Sequence, residues 1–160
     1  ALADPALQVE AFEPVARTRA KLARNVALNG LEARVRLHPL AVSDAEGRAE
    51  IAIDPRSSGL STLSASGAEA ARRDFSTVEE VRTAPLDALF QPRGETLAIK
   101  IDVEGHEPRA LAGAATLLAE NDGLAMVEIR ARNAEAVRAA FAAAGWRETG
   151  QVAEEAFFEK

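Results

Sequence analysis

Residues 96–103, Thr-Leu-Ala-Ile-Lys-Ile-Asp-Val, constrain the fold more than any other stretch of the chain. The run is apolar on both faces except at Lys100 and Asp102, as in a strand of a parallel sheet covered from both sides. It leads through Glu-Gly-His into a helix expected over 107–120, with Pro108 in the first turn, where a missing N–H has no helical partner to lose. A second apolar strand is expected at Leu124–Ile129, and a helix over Asn133–Ala144 closed by Gly145.

The same alternation fills the rest of the chain. Ala1–Leu7 reads as a helix end with a turn at Asp4-Pro5. Gln8–Phe12 reads as a short strand, and Val15–Leu28 as a helix stopped by Asn29-Gly30. Val15, Leu22 and Val26 form its apolar side, and Arg17, Lys21 and Arg24 read as a solvated face. Val35–Val42 reads as one strand disturbed at Pro39 by a bulge or an edge position. Arg48–Ile53 and Thr77–Thr83 alternate polar and apolar residues, which predicts a half-buried antiparallel pair. Asp54–Ser76 between them reads as a long loop. Pro85–Phe90 is a short helix, and Trp146–Lys160 reads as two short strands led by a core tryptophan. The class expected is α/β with a mainly parallel sheet and an inserted antiparallel hairpin.

Composition narrows the function. The 160 residues suffice for one domain with a core, and 48% hydrophobic with 28% charged residues suits a globular protein. A net charge of −6 without a basic run argues against nucleic acid as partner. No apolar run approaches a membrane span. There is no cysteine, hence no thiolate zinc site, and the chain suits a reducing, cytoplasmic setting.

Ligands of open parallel sheets bind beyond the carboxyl ends of the strands. Three expected strands end in acids: Phe12 precedes Glu13, Val42 precedes Ser43-Asp44, and Ile101 precedes Asp102-Val103-Glu104; Glu128 lies late in a fourth. Such a rim suits a cofactor with ribose hydroxyls and a cationic sulfonium. The two oxygens of Glu13 suit the two hydroxyls of a ribose, and Asp44 an adenine amino group.

Several segments, in order and spacing, resemble the FkbM methyltransferase family. They are Val9-Glu10-Ala11-Phe12-Glu13-Pro14, Asn25, Leu28-Asn29, Ala41-Val42-Ser43-Asp44 with Gly47, Pro85-Leu86-Asp87, the run from Ile99 to Glu107, and Leu111-Ala112-Gly113-Ala114. Lys-Ile-Asp-Val-Glu-Gly-His-Glu is the most specific piece. The resemblance implies a class I, Rossmann-like methyltransferase fold with S-adenosylmethionine as donor, and a hydroxyl on a small molecule or glycan as acceptor. It implies a cofactor contact set of Glu13, Val42, Asp44 and Asp102, with Glu13 at the ribose and Asp44 near the adenine. It also implies that Asp102, Glu104 and His106 stand beside the methionine part and the acceptor, as catalytic candidates. The family's first strand and its Asp-x-Gly-Ala-Asn-x-Gly-like loop would precede Ala1, so residues 1–160 are expected to be the domain without that strand. The strand would lie between Gln8–Phe12 and Thr96–Val103. Its absence would leave two open strand edges, at which a second copy is a candidate partner. Glu128-Ile129-Arg130 stands where the family commonly has Glu-x-His.

Each candidate has a plainer reading. Glu13 also suits a helix start, where the macrodipole favours an acid, and Asp44 a turn before Gly47. Asp102 needs a partner or a rim position in its apolar strand, and Lys100 is the nearest. His106 suits a general base, which methyl transfer to an alcohol requires, and equally the cap of the helix that follows. Asp102, Glu104, His106 and Glu128 are hard ligands for magnesium or calcium, but charge alone makes no site and no metal is assigned. His38 reads as structural or exposed. A non-catalytic module on the same scaffold is the rival function.

Overall fold

The computed structural model describes residues 4–53, 61–62 and 77–160. The elements are β1 (Val9–Phe12), α1 (Ala16–Leu28), β2 (Val35–His38), β3 (Ala41–Val42), β4 (Gly47–Ile53), β5 (Ser61–Thr62), β6 (Thr77–Ala84), α2 (Leu86–Leu89), β7 (Thr96–Ile101), α3 (Glu107–Ala112), α4 (Ala115–Glu120), β8 (Asp122–Glu128), α5 (Ala134–Ala143), β9 (Arg147–Val152) and β10 (Glu155–Glu159). The expected helix end over residues 1–3 and most of the loop over 54–76 lie outside the described residues. Within that stretch, Ser61–Thr62 is a strand rather than loop.

The strands form three sheets, ordered β1-β2, β3-β6-β4-β5 and β7-β8-β10-β9. β1 pairs with β2, β3 with β6 and β7 with β8 in parallel, whereas β4 pairs antiparallel with β5 and β6, and β10 with β8 and β9. The expectation of a mainly parallel sheet is therefore corrected to mixed sheets. The antiparallel pairing of β4 with β6 is present, running from Gly47↔Thr83 to Ile53↔Thr77.

Two apolar clusters hold the chain. In the larger, Leu111 and Leu118 from α3 and α4, Val137 and Phe141 from α5, Val127 from β8 and Phe158 from β10 close on Trp146. Phe141 and Phe158 stack with ring centroids 4.1 Å apart. Each such ring contributes about 1.5–3 kcal/mol by leaving water. The Trp146 indole N–H donates to Leu118 O at 2.9 Å, so its one polar atom is satisfied inside. In the smaller cluster, Val15 at the start of α1 packs on Ala41, Ile51 and Val81. The α1 face holding Arg17, Lys21 and Arg24 is exposed.

Three expectations change for physical reasons. Residues 35–42 are two strands: Pro39 has no N–H to give a ladder, and the chain leaves β1-β2 there to enter the β3-β6 sheet. Residues 107–120 are two helices: α3 ends at Gly113, where a Cβ would lie 1.9 Å from Ser43 O. The backbone comes this close only at a glycine. β7 is not covered on both faces: Thr96, Ala98 and Lys100 are exposed, while Leu97, Ile99 and Ile101 are half-buried. It pairs only with β8 among the described residues. No helix of the described residues is long and apolar enough to cross a membrane.

Candidate functional site

The polar residues singled out in the sequence stand where β1, β3 and β7 end. Glu13 leaves β1 with its N–H on His38 O at 3.1 Å. Its Oε1 accepts from Val15 N at 2.8 Å, closing the turn into α1. Glu13 thus braces the turn before α1 with one carboxylate oxygen, while the first turn of the helix itself holds no acid. Burial raises its pKa, against the Val15 hydrogen bond and the charge of Arg19. Arg19 Nη1 binds Glu13 O at 3.1 Å and Pro14 O at 2.8 Å, fixing the same turn.

β3 runs through half-buried Val42 into buried Ser43, whose N–H donates to Ala84 O at 3.0 Å. The Ser43 hydroxyl donates to Asp44 Oδ1 at 3.0 Å and lies 3.0 Å from His106 Nε2. Asp44 is held below the ordinary carboxylate range, chiefly by the Ser43 hydroxyl, with Arg109 and His106 adding to it. Arg109 Nη1 stands 3.6 Å from Asp44 Oδ1. His106 is only 9% exposed. Burial lowers its pKa and Arg109 lowers it further, while Asp44 and Glu107 pull the other way. Its backbone is the N-cap of α3, but its side chain makes no capping bond. The imidazole is turned to Ser43 instead.

The loop from β7 to α3 is built from inside. Glu107 is fully buried. Its Oε1 accepts from Gly105 N at 3.0 Å and Val103 N at 3.3 Å, and its Oε2 from Asn133 Nδ2 at 2.5 Å. Asn133 Oδ1 in turn accepts from Arg130 N at 2.6 Å. This brace holds two left-handed residues in succession, Glu104 (φ 53) and Gly105 (φ 100). A non-glycine residue in that region is strained and persists where its surroundings over-determine it. Arg130 supplies the other clamp: its Nη2 reaches Glu104 Oε2 at 2.7 Å and Glu128 Oε1 at 3.1 Å. Although burial opposes its charge, these two carboxylates keep Arg130 firmly protonated. Burial raises the pKa of Glu128, against the Arg130 bond, and its Oε2 is buried without a hydrogen-bond partner.

The structure therefore brings Asp44 and His106 together through Ser43, and Glu104 and Glu128 together through Arg130. Asp102 stands at the surface, paired with Lys100 at 2.9 Å. No hydrogen bond or ion pair joins Glu13 to Asp44, Asp102 or His106. A cleft of about 460 Å³ beside β7 and β8 is lined by Lys100, Asp102, Glu128 and Glu154, but not by Glu13, Asp44 or His106. No group of three His, Asp or Glu side chains among the described residues is placed to hold a metal ion. His38 is structural: its ring stacks on Phe12 at 4.7 Å and its Nε2 meets Glu10 Oε2 at 2.5 Å.

Sequence reasoning passed over Ser43 and Arg109, and gave Glu107 and Asn133 no role. Ser43 carried a signal in its place between a strand end and Asp44. Glu107 carried none, because an acid in a first helical turn reads as solvated until packing shows it buried. The serine, histidine and aspartate are not ordered as a nucleophilic serine requires. There a histidine stands between hydroxyl and carboxylate; here the serine does.

The chain is an α/β domain with mixed sheets, and its candidate ionisable groups lie at or just beyond strand ends. The chain belongs to the FkbM methyltransferase family: the model of the methyltransferase FkbM domain matches residues 2–149. It is similar in fold to the crystal structure of methyltransferase FkbM from Methylobacillus flagellatus KT, with a TM-score of 0.61 and 14% identity. That likeness covers 96% of this chain and 36% of the other, so the chain spans about a third of its relative's length. No curated protein matches the chain.

Proposed function

We propose that this domain transfers a methyl group from S-adenosylmethionine to a hydroxyl of a small-molecule or glycan acceptor. The observation that carries the reading is His106, buried and neutral at the junction of the β3 and β7 ends, against Ser43 and Asp44. Family membership supports methyl transfer in general.

Three of the residues present have the chemistry that the donor calls for. Its ribose hydroxyls, amino groups and sulfonium call for acceptors and negative charge, and Glu13, Asp44 and Asp102 supply both. Oε1 of Glu13 serves the turn at Val15, which leaves Oε2 for a ribose hydroxyl. Val42 offers an apolar wall beside Asp44. When bound, S-adenosylmethionine supplies an electrophilic methyl group on a positively charged sulfur. His106 takes the proton from the acceptor hydroxyl, a task suited to an imidazole that burial keeps neutral. Glu104 is held in a largely buried pair with Arg130, whereas Asp102 shares only an exposed pair with Lys100, so Asp102 is the better group to orient the acceptor.

His106→Gln tests the base. Transfer is expected to slow by about 10²–10⁴-fold, the usual worth of a positioned base, with the affinity for S-adenosylhomocysteine unchanged. An unchanged rate removes His106 from the chemistry.

A further inference from the structure

We infer that Ser43 is a positioning residue that holds His106 as the Nε2–H tautomer, so that Nδ1 is the nitrogen that accepts the acceptor's proton. The inference rests on His106 being the base.

A serine hydroxyl has one proton. Here it is given to Asp44 Oδ1 at 3.0 Å. Asp44 is ionised and accepts only, because the Ser43 hydroxyl and the charge of Arg109 hold it so. With its proton committed, Ser43 Oγ meets the imidazole nitrogen 3.0 Å away only as an acceptor. Nε2 must then carry hydrogen, and the lone pair of the neutral ring lies on Nδ1. Among the described residues Nδ1 has no hydrogen-bond partner, and the one buried side-chain atom left without a partner is Glu128 Oε2, not an atom of His106. Nδ1 is therefore the ring nitrogen left to accept a proton. Ser43 itself is fixed from behind: its carbonyl abuts Gly113, and its N–H is on Ala84 O. The charged groups around the ring are Asp44 from the β3 side, and Glu107 and Arg109 from α3. In the proton step, the O–H bond of the acceptor breaks as Nδ1–H forms. Nε2–H stays on Ser43, and the imidazolium charge faces Asp44 through the serine.

Long-range ¹H–¹⁵N correlation spectra of the labelled protein at neutral pH test this without cofactor or acceptor. The chain has two histidines, and the spectrum of His106→Gln assigns them. The expected result is a protonated Nε2 and a bare Nδ1 for His106, with the Nε2 proton protected from exchange. In Ser43→Ala that protection falls by about tenfold, the worth of one hydrogen bond, and kcat falls. A proton on Nδ1 in the wild type overturns the inference, whether or not Ser43→Ala folds. Unchanged exchange in Ser43→Ala overturns the role of Ser43. Failure of the base itself reads differently, as an intact Nε2–H tautomer with an undiminished rate in His106→Gln.

Discussion

Glu107 shows how much one buried carboxylate organises. It accepts from two backbone N–H groups of the strained loop and from Asn133. In Glu107→Gln the amide's NH₂ would face the Asn133 NH₂, since Asn133 Oδ1 is already committed to Arg130 N. The variant is expected to lose about 1–3 kcal/mol for the unsatisfied pair, read by urea denaturation. Stability equal to wild type would show that the brace is dispensable. His106 gives a prediction of pH dependence. Its folded pKa lies below the ordinary 6.5, so between the two values the unfolded chain binds a proton that the folded chain refuses. The contribution of His106 to stability therefore rises as pH rises through that window and is level above it. The NMR titration midpoint of His106 is expected below 6.5; a midpoint above it would mean that the neighbouring acids outweigh burial. At this scale the sequence disclosed residue types at strand ends, and so pointed to Glu13, Asp44, Asp102, Glu104 and His106. It did not disclose which of them meet. Ser43 joining Asp44 to His106 spans residues 63 apart in sequence, and only the fold sets that contact.

Local signals serve well for single elements where they are strongest. Asn29-Gly30 closes α1, and the alternation over residues 48–53 and 77–83 pairs as β4 with β6. They fail where a third element intervenes. The apolar pattern over 107–120 is continuous, but the helix breaks at Gly113, the position that packs against the Ser43 carbonyl. Gly113→Ala is expected to cost about 1–3 kcal/mol as overpacking against backbone and to shift the His106 resonances, since the same contact backs Ser43. A variant as stable as wild type with unmoved resonances would contradict the close approach. The second helix of that pair is capped from elsewhere. Asp87 of α2 accepts from Thr116 N at 2.8 Å and Leu117 N at 2.9 Å. Asp87→Ala is expected to destabilise by about 1 kcal/mol, the worth of an N-cap, measured by chemical denaturation. No change would mean that water replaces the carboxylate there. Asp87 was visible in sequence only as part of a resemblance, because a cap 29 residues away carries no local pattern.

For the whole molecule, the α/β class follows from strand–helix alternation, whereas the mixed pairing does not. β10 folds back antiparallel on β8 and β9 antiparallel on β10, and their short alternating runs encode no partner. The strands lie in separate β1-β2, β3-β6-β4-β5 and β7-β8-β10-β9 sheets, and Ser43 after β3 meets His106 and Gly113 after β7. The account places the donor where these ends face one another, with Glu13 at the ribose. Calorimetric titration of the folded protein with S-adenosylhomocysteine, wild type beside Glu13→Ala, tests this most directly. The account predicts binding by the wild type and an affinity at least about tenfold weaker in Glu13→Ala, the scale of a hydrogen bond to a charged group. No binding by folded wild type would contradict the methyl-transfer reading and favour a scaffold acting through protein contacts. Equal affinity in the two would contradict the ribose assignment of Glu13.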